Sequence, residues 1–297
     1  MKVMDEMTTC ITKTAPAKVN LCLHITGRRT DGYHQLESLF VRTKNGDQIT
    51  VAPNEGLSLS LSGPFAADLS DAGVQSDNII LTAAGLLRSK AGIEQGALIT
   101  LEKNLPIAAG IGGGSADAAA TLLALNELWG LNWSKNRLEK IAVQLGADVP
   151  ACLYNHPLWV TGVGEVVTSV DLDVPIYILL VNPMVGLSTP AVFKRYRMDV
   201  CEFDASLKNI PVSLSALQST KNSLERSAVK LSGEITRVLS LMNTLADVKL
   251  VRMSGSGATC LALFQSSEAR DKAALVLSKH HADWWVHPDI INVTKEP

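Results

Sequence analysis

Between Pro106 and Ala116 (Pro106, Ile107, Ala108, Ala109, Gly110, Ile111, Gly112, Gly113, Gly114, Ser115, Ala116) four glycines fall within five positions. Glycine has no Cβ and accepts positive φ, so successive backbone N–H groups can converge on one point and hold an anion. The chain then turns to alanine and leucine, which predicts a helix. Its unpaired amides and positive dipole end fall at the same place. Ser115 adds a hydroxyl. Phosphate suits such a cradle, although a tight strand-to-helix turn would employ the same glycines. Two familiar templates do not fit: a Walker A loop ends in Gly-Lys-Ser/Thr, which is absent, and the dinucleotide Gly-x-Gly-x-x-Gly requires glycine where Ser115 stands. The nucleophile elbow Gly-x-Ser-x-Gly is met at Gly113 and Ser115 but has Asp117 in place of its last glycine, which keeps a serine hydrolase as a rival.

A second set of polar residues stands in Ala17 to Ile25, where Lys18, Asn20, Cys22 and His24 alternate with Val19, Leu21, Leu23 and Ile25. The period of two predicts a half-buried strand on which Lys18 and Asn20 share a face, about 7 Å apart. Taken alone, Lys18 serves equally as a solvated strand lysine. Thr26 to Gly32 (TGRRTDG) predicts a turn that leaves Tyr33 and His34 at a loop end. Asp148 follows Gly146, the stop of a predicted helix, where an aspartate is commonly a turn or capping residue.

The elements that must position these residues are mixed. Gln48 to Ala52 and Leu57 to Ser62 alternate as strands. A helix is predicted from about Asn78 to Lys90 with Asp77 as N-cap and Gly92 as stop. A strand at Ala97 to Leu101, the helix after Gly114 and another at Lys135 to Leu145 follow. Beyond Pro157 come a hairpin (Trp159 to Val167), a strand (Ile176 to Val181) and a short helix opened by Ser188, Thr189 and Pro190. Helical segments at Asn222 to Leu231 and Glu234 to Met242 precede strands at Lys249 to Met253 and Thr259 to Phe264, joined through Ser254-Gly255-Ser256-Gly257. A helix at Glu268 to Ser278 and a strand at Trp284 to His287 end the series. This order predicts the α+β class and two domains, 1–165 and 166–297.

The 297 residues suffice for two medium domains, and 46% hydrophobic with 19% charged residues is a globular balance. A net charge of −2 offers no field for a polyanion, so no nucleic-acid partner is expected. Cys10, Cys22, Cys152, Cys201 and Cys260 are scattered without a C-x-x-C pair, which argues against a disulfide framework or a cysteine zinc site and for a reducing cytoplasm. No stretch approaches ~20 apolar residues and no secretory leader is visible, so no membrane partner is expected. His280, His281, Asp283 and His287 lack helical ligand spacing, and no metal site is assigned to them.

Pro106 to Ala116 matches in full the pattern P-x-x-x-G-[LI]-G-[GS]-[GS]-S-[AS]. On that ground the chain resembles the kinases of the galactokinase, homoserine kinase, mevalonate kinase and phosphomevalonate kinase (GHMP) group. Ala15-Pro-Ala-Lys-Val-Asn-Leu21, Arg29-Thr-Asp-Gly-Tyr-His34, Leu145-Gly-Ala-Asp-Val-Pro150 and Met253-Ser-Gly-Ser-Gly-Ala-Thr259 extend the likeness over nearly the whole chain. Within the group they resemble the members that phosphorylate a cytidine-diphosphate-linked alcohol in the non-mevalonate route to isoprenoids. The resemblance implies a GHMP kinase fold of the α+β class: an N-terminal ATP-binding domain like the second domain of ribosomal protein S5, and a ferredoxin-like C-terminal domain. It implies ATP as phosphoryl donor, Mg²⁺ held mainly by phosphates and water, a small-molecule alcohol as acceptor and no obligate protein partner.

Carried over by the same resemblance, Pro106 to Ala116 binds ATP, Asp148 accepts the proton of the attacking hydroxyl, and Lys18 keeps that carboxylate ionised and counters phosphoryl charge. Asn20, Tyr33, His34 and Phe193 line the substrate pocket, Phe193 over one face of a cytosine. The sequence departs from the group at Ala116-Asp117, where some relatives carry serine and asparagine. It departs again at Lys221-Asn-Ser-Leu-Glu225, where N-D-L-E is more usual, and no role is carried over to that segment. Homoserine or mevalonate stands as an alternative acceptor, and a non-catalytic nucleotide-binding module as an alternative activity.

Overall fold

The computed structural model describes residues 10–71, 78–172, 176–199 and 202–293. The chain divides into two compact units, one holding the described residues of 1–15, 46–107 and 114–153, the other those of 16–45, 108–113 and 154–297. Strands β1 (Ile11–Arg28) and β2 (His34–Asn54) pair with each other and contribute residues to both. Sequence alternation predicts a half-buried β1, yet every residue from Ala15 to Ile25 is buried. The polar face is covered because each of its groups finds partners, as the site below shows.

In the first unit β3 (Leu57–Ser62) runs parallel to β4 (Gly96–Glu102), and β4 pairs antiparallel with Gln48–Asn54 of β2. Five helices carry residues of this unit: α1 (Ala66–Asp71), α2 (Ile79–Ala91), α3 (Gly113–Leu128), α4 (Lys135–Leu145) and α5 (Val149–Cys152). Asp77, the expected cap of α2, lies outside the described residues. Asn78 caps the helix instead, its side chain accepting from Ile80 N at 2.9 Å. Gly92 ends it as expected, at φ 66° with its N–H on the Arg88 and Ser89 carbonyls. Helix α2 packs on β3 and α4, and α4 turns Leu138, Ile141 and Ala142 inward as its periodicity requires. The short α1 and α5 have no apolar period to announce them.

In the second unit β5 (Leu158–Thr161) and β6 (Val166–Ser169) form the expected hairpin, and β5 pairs with Ser38–Phe40 of β2. A separate antiparallel sheet has the order β10-β7-β9-β8, from β7 (Tyr177–Asn182), β8 (Leu250–Met253), β9 (Cys260–Phe264) and β10 (Trp285–Ile290). Helices α6 (Thr189–Asp199), α7 (Leu214–Gln218), α8 (Glu225–Leu231), α9 (Gly233–Asn243) and α10 (Ser267–His280) complete it. Its core joins Leu23 and Ile25 of β1 to Leu179, Val181, Val192, Tyr196, Val238 and Phe264. The helix predicted from Asn222 starts at Glu225, because Asn222 forms a parallel bridge with Leu23. Among the described residues no helix is long and apolar enough to cross a membrane. Cys10, Cys22 and Cys260 form no disulfide among the described residues, and Cys201 lies outside them.

Candidate active site

The glycine-rich segment folds as an open loop running into a helix. Ala108, Gly110 and Gly112 take φ of 50°, 74° and 64°, and Gly113 is the first residue of α3. Ala109 and Ile111 are buried and anchor the loop, whereas Gly112, Gly113 and Ser115 are half-buried and Gly114 is exposed. The amides at the helix start are therefore open to a ligand, and no acidic side chain stands in the first turn to repel an anion.

Lys18 is tied to this loop through its backbone, Lys18 N donating to Ile111 O at 2.8 Å. A Cβ on Gly112 would lie 3.0 Å from Lys18 Cε, so the missing side chain there lets the lysine stem pass. Lys18 Nζ donates to Asn20 Oδ1 at 3.2 Å and stands 4.4 Å from the centroid of the Phe40 ring. Asn20 Nδ2 donates to Ser38 Oγ at 2.8 Å, and Ser38 Oγ to Cys22 O. Ser38 and Phe40 went unnoticed in the sequence, where nothing local distinguishes them.

The second glycine loop, Ser254 to Gly257, lies against the first. Asn20 N donates to Ser254 Oγ at 3.1 Å, and Thr259 donates to Ala109 O from both N (3.2 Å) and Oγ1 (2.6 Å). A Cβ on Gly110 would come within 2.3 Å of Gly257 O. Backbone meets backbone at this junction.

His34 is buried, stacked on Phe193 with ring centroids 5.2 Å apart and edge-on to Tyr196 at 5.8 Å. Its Nε2 has no hydrogen-bond partner among the described residues. Burial, aided by Arg197 and Arg28, lowers the imidazole below its usual range, so the ring is neutral near pH 7. A neutral ring with one unsatisfied nitrogen beside an aromatic face can bind a planar heterocycle by stacking and one hydrogen bond. Tyr196 was missed in the sequence, although its spacing of i+3 from Phe193 on α6 places both on one helix face. Tyr33 stands outside this group, 66% exposed.

In the first unit, Asp148 precedes α5 in αR conformation and is half-buried. Its side chain makes no capping hydrogen bond, and the residue lies in a turn at the N-cap position of α5. Pro106 is buried, Ile107 is exposed, and Ala116 is buried one turn into α3. The next residue, Asp117, accepts from Lys103 Nζ at 2.8 Å, and Lys103 also binds Asp47. This buried triad of one cation and two carboxylates holds α3 to the end of β4.

Comparison with known proteins adds independent findings. The profile of the GHMP kinases N terminal domain matches residues 78–156, and that of the GHMP kinases C terminal domain matches 200–283. The 4-diphosphocytidyl-2-C-methyl-D-erythritol kinase of Paramagnetospirillum magneticum is 43% identical over 277 residues, or 92% of this chain and 96% of the relative. The protein of the same name from Paracoccus denitrificans is 46% identical over 278 residues, or 92% and 94%. The crystal structure of a 4-(cytidine 5'-diphospho)-2C-methyl-D-erythritol kinase matches with a TM-score of 0.79 at 32% identity, covering 95% of this chain and 100% of that one. Homoserine kinase from Cytophaga hutchinsonii matches with a TM-score of 0.65 at 19% identity over 100% and 98%, a likeness of fold alone.

Proposed function

The chain belongs to the 4-diphosphocytidyl-2-C-methyl-D-erythritol kinases of the GHMP family, and from that premise we propose that it transfers the γ-phosphoryl group of ATP to the 2-hydroxyl of 4-diphosphocytidyl-2-C-methyl-D-erythritol. ADP and the 2-phosphate are the products, on the non-mevalonate route to isoprenoids. The observation that carries this is a buried lysine, Lys18, hydrogen-bonded through its backbone to an open glycine loop at a helix start. An ammonium group and a set of amide donors beside one another are what a transferring phosphoryl group requires.

In this reading Pro106 to Ala116 cradles the phosphates of ATP. Asp148 accepts the hydroxyl proton as the new P–O bond forms and the bond to ADP breaks. Lys18 counters the charge on the phosphoryl oxygens, and no covalent enzyme intermediate is needed. Asn20 lines the acceptor site and keeps Lys18 in place through Oδ1. His34 and Phe193 hold the cytosine by the unsatisfied Nε2 and the stacked ring, with Tyr33 at the rim of the pocket. Mg²⁺, held mainly by phosphates and water, would supply charge neutralisation when ATP is bound. The division into an ATP-binding part, 1–165, and a C-terminal part, 166–297, is supported by the two family profiles, which fall on either side of it apart from the interval 157–199 that neither covers. Five scattered cysteines without a C-x-x-C pair suit a reducing cytoplasm.

ADP release measured with the cytidyl substrate, homoserine and mevalonate in parallel tests the assignment; turnover confined to either of the last two overturns it. Asp148→Asn is expected to bind nucleotide as the wild type does and to lose most turnover, by about 10²- to 10⁴-fold. Labelling of Ser115 by a fluorophosphonate in the absence of ATP would instead favour the hydrolase.

A further inference from the structure

Lys221 to Glu225, the segment that departs from the usual N-D-L-E run, reaches the second glycine loop with two side chains. Asn222 is buried, and its Nδ2 donates to both Met253 O and Gly255 O at 2.8 Å, while its Oδ1 accepts from Leu224 N at 2.9 Å. Both of its amide donors, and its carbonyl oxygen, thus bond to backbone. Glu225 Oε2 accepts from Met253 N at 2.8 Å, so Met253 is gripped at both its N–H and its C=O. The segment is itself fixed to β1: Leu23 N donates to Lys221 O at 2.9 Å and Ser223 N to Leu23 O at 2.8 Å.

What these groups hold is a tight turn, closed by Gly257 N on Ser254 O and Ser254 N on Thr259 O, both at 2.9 Å, whose own bonds fix its shape and not its place against β1. Gly255 and Gly257 take φ of 53° and 85° and offer no side chain to pack. Yet its position is critical, because Ser254 accepts from Asn20 N and Gly257 O approaches the α-carbon of Gly110 more closely than any Cβ would permit. We propose that Asn222 and Glu225 form a strap that sets the Ser254 to Gly257 loop against Ala109 to Gly112 and Asn20, and that both are positioning residues for phosphoryl transfer. This rests on the reading of Ala109 to Gly112 as part of the phosphate cradle. It deepens that reading by giving the second loop's alignment to two residues outside either glycine motif.

The test is steady-state kinetics of the full chain with ATP and the cytidyl substrate, normalised to folded protein, beside ADP affinity by calorimetry. Asn222→Ala removes both donors, and a fall in kcat of about 10- to 100-fold is expected with ADP affinity nearly unchanged, since misplacement of a catalytic contact costs turnover more than binding. A purely structural role would lower the folded fraction and leave kcat per folded molecule alone. Glu225 gives a second, conservative pair: Glu225→Gln keeps an acceptor for Met253 N and should retain most of kcat, whereas Glu225→Leu should copy Asn222→Ala. Equal kcat in the two Glu225 variants, or an undiminished kcat per folded Asn222→Ala molecule, overturns the strap. A wild-type chain that neither binds ADP nor turns over overturns the phosphate cradle instead.

Discussion

At the scale of single residues, charge is the quantity to follow. Lys103 lies buried between Asp47 and Asp117, and Asp47 also accepts from Asn104 N and Leu105 N at 2.6 and 2.8 Å. Asp117 has one bond to the lysine and an Oδ1 without a partner among the described residues. Burial pushes the Asp117 carboxyl up to about 8; Lys103 opposes the shift and Asp47 adds to it. The same two aspartates outweigh the burial of Lys103 and raise it. An acid raised in the fold stabilises fully below its unfolded value near 3.8 and loses that contribution as pH climbs toward about 8. Relative to Asp117→Asn, which lacks the titration, the wild type should therefore lose stability steadily across this window, as urea midpoints at successive pH values would register. The activity of the variant is expected to survive. His34→Phe makes a complementary case: stacking persists and Nε2 is gone, so KM for the cytidyl substrate should rise about tenfold or more while KM for ATP holds. Of all this the sequence displayed Asp117 only as a departure from a pattern. Its partners lie 14 residues away and, through Lys103, a further 56, and no local period links them.

Among elements, the tie between β1 and the segment before α8 shows how a substitution can be absorbed. Ser223 occupies the place of the usual aspartate, and its Oγ donates to Asp204, which also pairs with Lys221 at 2.6 Å and accepts from Ile25 N at 3.2 Å. Burial opposes ionisation of Asp204, but the bonds from Lys221 and Ser223 prevail and hold its carboxyl below the usual range. A carboxylate thus stands beside the position where this sequence lacks the usual one, delivered from another part of the chain. Ser223→Asp alone would press two carboxylates together and should cost about 1–3 kcal/mol, whereas the double change with Asp204→Ser should recover most of it in a denaturation cycle. Most strands and the longer helices were legible from their periods, but β1 begins at Ile11 rather than Ala17, and β2 at His34 rather than Gln48. The start of α8 was not, because the bridge from Asn222 to Leu23 spans the chain and leaves an apolar helical rhythm undisturbed around it.

For the molecule as a whole, nucleotide and stability are linked. At about 100 times its dissociation constant, ATP should add about 2.7 kcal/mol to unfolding, and Asp148→Asn should keep that gain while losing turnover. Loss of both would point to a folding role for Asp148 rather than a chemical one. That Lys18 and Asn20 share a strand face, and that the glycine run opens into a helix, could be read in advance because both are patterns within a dozen residues. The aromatic partner Tyr196 and the strap could not, since they are defined by contacts between segments that share no pattern.

The backbone contact of Gly110 with Gly257 has a consequence for heredity. A methyl group at 110 would meet the 257 carbonyl at 2.3 Å, so Gly110→Ala adds displacement of that neighbour to the strain of an alanine at φ 74°. Selection for regained growth after that mutation should therefore recover second-site suppressors within 253–259 and at 222 or 225, and few along α3.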